Sequence, residues 1–255
     1  MKAPTLDRLD MSRLYNELAP WYPLLTHVSD YEEEAAFFTK LLAGQGPSTT
    51  LLELGCGQGA NAFYMKSHFD ITLSDRSEPM LKLSRTLNPG LRHVQGDMRD
   101  LRLDVTFDRV FVHDAISYLT TGEDLHKAIE TIALHLSPGG MALLAPDYLA
   151  ENFVAGWDDG GHDAEDGRGV RFIEYCQDPD PNDDTYRVDY AMMLREPDGT
   201  MRVEHDTHVE GLFSRQSWLD RVAAVGLSAE TVVFEHSDLD DHHTYEVIVC
   251  RKPHL

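Results

Sequence analysis

Residues 51–59 read Leu51-Leu52-Glu53-Leu54-Gly55-Cys56-Gly57-Gln58-Gly59, an apolar strand that runs into an acid and three alternating glycines. A glycine-rich turn after a parallel strand lets the backbone approach a ligand closely, because no Cβ stands in the way. Two more strand ends follow at regular spacing. Ile71-Thr72-Leu73-Ser74 ends in Asp75, twenty residues past Gly55, and Gly96-Asp97-Met98 comes about 22 residues later. Such a series confines the chain to an α/β sheet with a ligand at its strand ends.

The glycines alone do not choose the ligand. Gly55-Cys56-Gly57-Gln58-Gly59-Ala60 fits the loose dinucleotide pattern G-x-G-x-x-A, in which the turn seats a pyrophosphate on a helix N-terminus. Glu53 argues against a pyrophosphate, which its carboxylate would repel. It suits a cation, or a water network around an amino group. Asp75 can hold both hydroxyls of a ribose in either kind of ligand.

Charge and composition narrow the partners. The chain has 255 residues and a formal net charge of -22. The length fits one α/β domain with an insertion, or two small domains. The acidity disfavours nucleic acid, whose phosphates need Lys and Arg, and disfavours anionic membranes. It reads first as a solubility property; a salt-rich host and attraction of a cationic amine are the alternatives. No apolar run is long enough to span a bilayer, and Met1-Lys2-Ala3-Pro4-Thr5 lacks an apolar signal region. Cys56, Cys176 and Cys250 show no metal-ligand spacing. A cytoplasmic protein with reduced thiols is expected.

Along the chain, residues 6–28 read as a short helix and a lid-like turn, broken by Pro20 and Pro23. Ser29-Asp30 is expected to cap a helix that carries Ala35, Ala36, Phe37, Leu41 and Leu42 on one face and stops near Gly44. Strands at 50–54, 70–74, 91–95, 107–113 and 141–146 alternate with helices from about 59, over 77–87 and over 121–136. That alternation specifies a parallel sheet. Pro138-Gly139-Gly140 reads as the turn into strand five. Residues 151–168 read as loop. Three antiparallel strands then follow, Val170–Gln177, Tyr186–Arg195 and Met201–Phe213, separated by turn clusters. Ser214 caps a helix ended by Gly226, and strands near 228–235 and 244–251 close the chain. His242-His243 falls in the loop between them.

The stretch from about 50 to 150, ending in Leu136-Ser137-Pro138-Gly139-Gly140, resembles the class I S-adenosylmethionine (SAM) methyltransferases. SAM carries an ammonium and a sulfonium, which answers Glu53. The rest is similar to a narrower group, the bacterial deoxyaminosugar N,N-dimethyltransferases. That likeness is carried by Tyr15-Asn16-Glu17-Leu18-Ala19-Pro20-Trp21-Tyr22, Gln95-Gly96-Asp97-Met98-Arg99-Asp100, Tyr118-Leu119 and His208-Val209-Glu210-Gly211-Leu212-Phe213-Ser214. The resemblance implies a Rossmann-like α/β fold: a seven-stranded, mostly parallel sheet with helices on both faces, an antiparallel last strand, and an antiparallel β insertion after strand five. The division is then an N-terminal lid over 1–43, a SAM-binding core over 44–150, the insertion over 151–213 as cap or homodimer interface, and the last core elements over 214–255.

The resemblance also assigns residues. Gly55, Cys56 and Gly57 form the cofactor turn, Asp75 with Arg76 beside it meets the ribose, and Asp97 and Met98 meet the adenine. Glu53 organises the methionine end, over which Tyr15 and Tyr22 close. Where the aminosugar enzymes have small residues or Ser after strand four, this chain has His113-Asp114. His113 is thus a cofactor neighbour and candidate base, and Asp114 its orienting partner or an ammonium ligand. Tyr118, Asp147, Tyr148, His205 and His208 are candidates for the acceptor pocket. The expected reaction is in-line methyl transfer to an amine or hydroxyl of a small molecule, without a metal. Alternatives are an O-methyltransferase of a natural product, a SAM-binding protein running a non-methylating sulfonium reaction, and an NAD-dependent oxidoreductase.

Overall fold

The computed structural model describes residues 12–43, 49–235 and 245–254. Residues 1–11, the expected helix stop at Gly44 and the His242-His243 pair lie outside the described residues.

The core sheet follows the expected alternation. Its strands are β1 (Thr49–Leu54), β2 (Phe69–Asp75), β3 (Arg92–Gln95), β4 (Phe107–Val112), β5 (Leu136–Leu144), β10 (Ser228–Phe234) and β11 (Tyr245–Arg251), in the order β10-β11-β5-β4-β1-β2-β3. β11 runs antiparallel to both β5 and β10, and the remaining core pairs are parallel. Helices bury an apolar stripe on each face. On one side α2 (Glu32–Leu42), α3 (Ala60–Met65) and α4 (Glu78–Leu87) place Phe38, Leu42, Met65 and Leu81 against Leu51, Ile71 and Phe111. On the other, α5 (Gly122–His135) and α6 (Arg215–Ala224) place Leu125, Ile129, Ile132, Trp218 and Val222 against Leu52, Val110 and Ile248. Ser77, Thr121 and Ser214 each accept a hydrogen bond from a first-turn backbone N–H of α4, α5 and α6.

Four local expectations change. Ser29 and Asp30 do not cap α2; they sit in the 3-10 turn Val28–Tyr31, where the Asp30 side chain accepts from the His27 N–H at 2.7 Å. The N-terminal helix-and-turn resolves, over described residues, into 3-10 turns at Arg13–Tyr15 and Ala19–Trp21 and the single turn α1 (Tyr22–Leu25), with Pro20 and Pro23 as early-turn residues. Pro138-Gly139-Gly140 is absorbed into β5 as an irregularity, since Phe107 pairs with Leu136 and Arg109 next pairs with Met141. The insertion has four strands, β6 (Gly156–Gly160), β7 (Gly169–Gln177), β8 (Thr185–Arg195) and β9 (Met201–Gly211). β6 falls inside the stretch read as loop because Gly-Trp-Asp-Asp-Gly has no apolar alternation; its pairing with β7 makes it a strand.

The lid and the insertion share a core. Leu14, Leu18, Trp21, Leu24 and Leu25 pack on Val170, Met192 and Leu194, so the N-terminal segment is bound to the second sheet. Together they stand over the strand ends of the first.

Candidate active site

The ends of β1 to β4, the lid and β9 enclose a cavity of about 770 Å³. Every residue expected at the cofactor lines it: Tyr15, Tyr22, Glu53, Gly55, Cys56, Gly57, Asp75, Arg76, Asp97, Met98 and His113. Asp114, Tyr118 and His208 line it too. Asp147, Tyr148 and His205 do not. Asp147 lies behind the wall, its N–H donating to Ser117 Oγ at 3.2 Å and its carboxylate accepting from Tyr186 at 3.3 Å. Tyr148 packs edge-on against Phe153 and Tyr186. His205 points to solvent from β9.

The glycine turn is built for close approach. Gly55 and Gly57 have φ of 70° and 52°, in the left-handed region that favours glycine. A Cβ on Gly55 would lie 2.2 Å from that of Ala115, so the turn needs glycine to pack against the 3-10 turn Asp114–Tyr118 after β4. A Cβ on Gly57 would meet only Met80, at 3.6 Å, and would otherwise project into the cavity. The Gly57 N–H donates to Asp75 Oδ2 and the Ser77 N–H to Oδ1, both at 2.8 Å. Asp75 is thus fixed at the tip of β2 with lone pairs to spare.

Two further features fit a SAM-shaped occupant. Glu53 is 3% exposed and its Oε2 has no hydrogen-bond partner. Burial pushes its pKa up to about 8, and a cationic ligand beside it would favour the ionised carboxylate. Asp97 is held by Arg99, whose Nε and Nη2 donate to its two oxygens at 2.9 and 2.7 Å. Arg99 also donates to Asp124 at 2.9 Å. Sequence reading missed Arg99, although its place two residues after Asp97 was a usable sign.

His113 stands among acids. Its Nε2 is 3.3 Å from Glu34 Oε2 and 3.1 Å from Asp114 Oδ1, within ion-pair range though angled away from hydrogen bonding. Burial pulls its pKa down, but Asp114 and Glu34 outweigh burial and hold it at about 10. It is an imidazolium at neutral pH and has no lone pair to accept a proton. The reading of His113 as a base is therefore at odds with its surroundings. Glu34 comes from α2, far from His113 in sequence, and no local pattern announces it.

From the end of the same turn, Asp114–Tyr118, runs a chain of hydrogen bonds. Tyr15 Oη lies 2.7 Å from Tyr118 Oη, which lies 2.7 Å from His208 Nδ1. His208 Nε2 is 3.2 Å from Asp206 Oδ2, which also accepts the Leu14 N–H at 2.8 Å. Asp206, His208 and Glu210 share the buried face of β9, as the two-residue strand period requires. That period would have found Asp206 from His208.

Comparison with known proteins identifies the fold's use. A methyltransferase domain family matches residues 51–140. The dTDP-3-amino-3,4,6-trideoxy-alpha-D-glucopyranose N,N-dimethyltransferase of Streptomyces venezuelae is 30% identical over 204 residues, covering 79% of this chain and 85% of that one. The chain belongs to the SAM-dependent methyltransferase family of the aminosugar N,N-dimethyltransferases. SAM-bound CalS10, an amino pentose methyltransferase from Micromonospora echinaspora, superposes with a TM-score of 0.72 at 25% identity, covering 87% of this chain and 91% of that one. The sugar N-methyltransferase KedS8 from Streptoalloteichus sp ATCC 53650 has the same fold, with a TM-score of 0.77 at 20% identity over 99% and 98% of the two chains. This methyltransferase therefore uses SAM, and the nicotinamide alternative gives way. Among the described residues no helix is long and apolar enough to cross a membrane.

Proposed function

We propose that this enzyme transfers a methyl group from SAM to the amine nitrogen of a small molecule, with an aminodeoxysugar as the leading acceptor class. The observation that carries this reading is the charge of the inner wall. Asp114 lines the cavity and Glu34 reaches the same imidazole, so two acids face one histidine there. His113 answers only part of that charge. An ammonium or amine is drawn to such a wall, whereas a phenolate or carboxylate acceptor would be repelled. The likeness to aminosugar N,N-dimethyltransferases supports the same acceptor.

When bound, SAM supplies a methyl carbon on a sulfonium, an already activated leaving group. The chain's own part is alignment and exclusion of water. In this reading the Gly55–Gly57 turn admits the methionine end, with Glu53 balancing its charge. Asp75 and Arg76 hold the ribose side and Asp97 and Met98 the adenine side. Tyr15 and Tyr22, backed by the insertion, cover the reacting atoms. Cys56 fills the turn. His113 keeps Glu34 and Asp114 in place, and Asp114 is the acid nearest an incoming ammonium.

The test is incubation with methyl-labelled SAM and three acceptors: a dTDP-linked aminodeoxysugar, the same amino sugar without the nucleotide, and a phenol. Label on an amine nitrogen is expected. Label on the phenol alone would replace this reading with O-methylation, and SAM binding without transfer to any of them would remove it.

The outer face of the insertion sheet also bears on partners. Trp157, Ile173, Tyr175, Met193 and Val203 are exposed there together, 63, 50, 56, 45 and 72% respectively. An apolar face of that extent supports a homodimer through the insertion.

A further inference from the structure

The Tyr118–His208–Asp206 chain forms a unit separate from the cofactor turns, and its geometry is that of a proton acceptor. The Asp206 carboxylate facing Nε2 requires the proton on that nitrogen. That leaves the Nδ1 lone pair to accept the Tyr118 hydroxyl hydrogen. Tyr15 donates to Tyr118 in turn. Tyr118 Oη then keeps one lone pair, and both Tyr118 and His208 line the cavity. His208 is 2% exposed, so the pair behind the hydroxyl is shielded from bulk water.

We infer that Tyr118, backed by His208 and Asp206, takes the proton from the acceptor amine. This rests on the reaction being N-methylation. An acceptor ammonium passes its N–H proton to Tyr118 Oη while the Tyr118 hydroxyl proton moves to His208 Nδ1. The products are a neutral amine, an unchanged Tyr118 and a His208 imidazolium facing Asp206. The amine lone pair then forms the N–C bond as the methyl–sulfur bond breaks, and the imidazolium later returns its proton to solvent. Tyr118 is the catalytic residue; His208 and Asp206 are positioning residues that act through it. Tyr118 need not ionise, which suits a hydroxyl that burial pushes well above the ordinary range.

The groups that face His208 support a transient positive charge. Asp206 and Glu210 flank it on β9, with Glu210 Oε1 3.9 Å from Nδ1. The Tyr190 ring packs on it from β8, tilted by 52°, and Glu174 acts on it from β7. Tyr15 and Tyr118 close the remaining sides, from the lid and from the 3-10 turn after β4. Asp114, in that same turn, acts on Tyr15.

The test compares wild type with Tyr118→Phe, His208→Gln and Asp206→Asn, using the amine that accepts label from SAM. At pH 7, kcat/KM for the amine is expected to fall by about 10²–10⁴-fold in the first two variants. SAM affinity should change far less than kcat/KM, since the glycine turn, Asp75 and Asp97 lie on other elements. The deficit should shrink as pH rises, because solvent then deprotonates the amine. Asp206→Asn should lose less and move the pH profile, as orientation loss predicts. A second readout needs no turnover: nitrogen NMR of the intact protein should show His208 protonated at Nε2 and not at Nδ1. A His208→Gln enzyme within about threefold of wild type at pH 7 overturns the relay, given the range expected for a lost base. So does a deficit equal at all pH values, or a His208 protonated at Nδ1. Failure of wild type to methylate any amine removes the N-methylation reading instead, and the relay with it.

Discussion

A buried carboxyl whose Oε2 has no hydrogen-bond partner costs stability on its own, which makes Glu53 the residue on which to test ligand binding. Because burial holds its pKa near 8, Glu53 binds a proton at neutral pH in the free enzyme. A cation favours the ionised form, so SAM binding should expel that proton. SAM affinity should therefore rise from pH 6.5 to 8.5, and the binding enthalpy should depend on the ionisation heat of the buffer. Glu53→Gln should abolish both effects and weaken binding about tenfold or more at pH 8.5, for a charge-assisted contact worth about 1.5–3 kcal/mol. Titration calorimetry in two buffers reads all of this, and an affinity flat with pH would assign Glu53 to structure alone. Such residues were legible in the sequence because the glycines, acids and strand ends stand in one short order. His113 was legible as a residue but not in its protonation state, since Glu34 reaches it from α2.

At the scale of elements, the parallel sheet could be read from alternation because each strand and helix carries its own period. The insertion could be read only in part. β7, β8 and β9 alternate, whereas β6 is defined by its neighbour. Nor does the sequence say that the lid packs on this sheet; Leu14, Trp21 and Leu24 look like any helix face until Val170 and Met192 are set beside them. The outer face of the same sheet gives a prediction. With Trp157 and Tyr175 paired across β6 and β7, and Met193 and Val203 across β8 and β9, Ile173→Asp with Val203→Asp should convert a dimer to a monomer. Light scattering on wild type and the double variant checks it, and a monomeric wild type removes the interface. Methyl transfer should survive if the cavity is complete in one chain.

The whole molecule responds to pH through its buried groups. Burial raises Glu53, Asp147 and Glu210 to about 8. In the unfolded chain these carboxyls ionise near their ordinary values of about 4. As pH rises from about 5 to 8 the unfolded state loses protons that the folded state keeps, so stability falls. His113 acts in the same direction. Its folded pKa of about 10 lies above the ordinary 6.5, so its contribution is complete below 6.5 and is lost as pH rises through 10. Added negative charge on a chain already at -22 deepens the fall through self-repulsion. The melting temperature of the ligand-free enzyme should therefore drop between pH 6 and 9, and saturating SAM should reduce the drop by neutralising Glu53. Scanning calorimetry with and without SAM measures it; a melting temperature that rises over this range would show that the cluster titrates elsewhere.

The sequence by itself determined the fold class, the cofactor and the glycine turn and strand ends that line the cavity. Periodicity, glycine turns and chain order are local properties, and they survive without knowledge of neighbours. Only the tertiary structure decided which acids face His113, that Asp147 and Tyr148 sit behind the wall, and that Tyr118 meets His208 across 90 residues of chain. Protonation state and partnership follow from distance and desolvation in three dimensions, and neither is written in the spacing of residues along the chain.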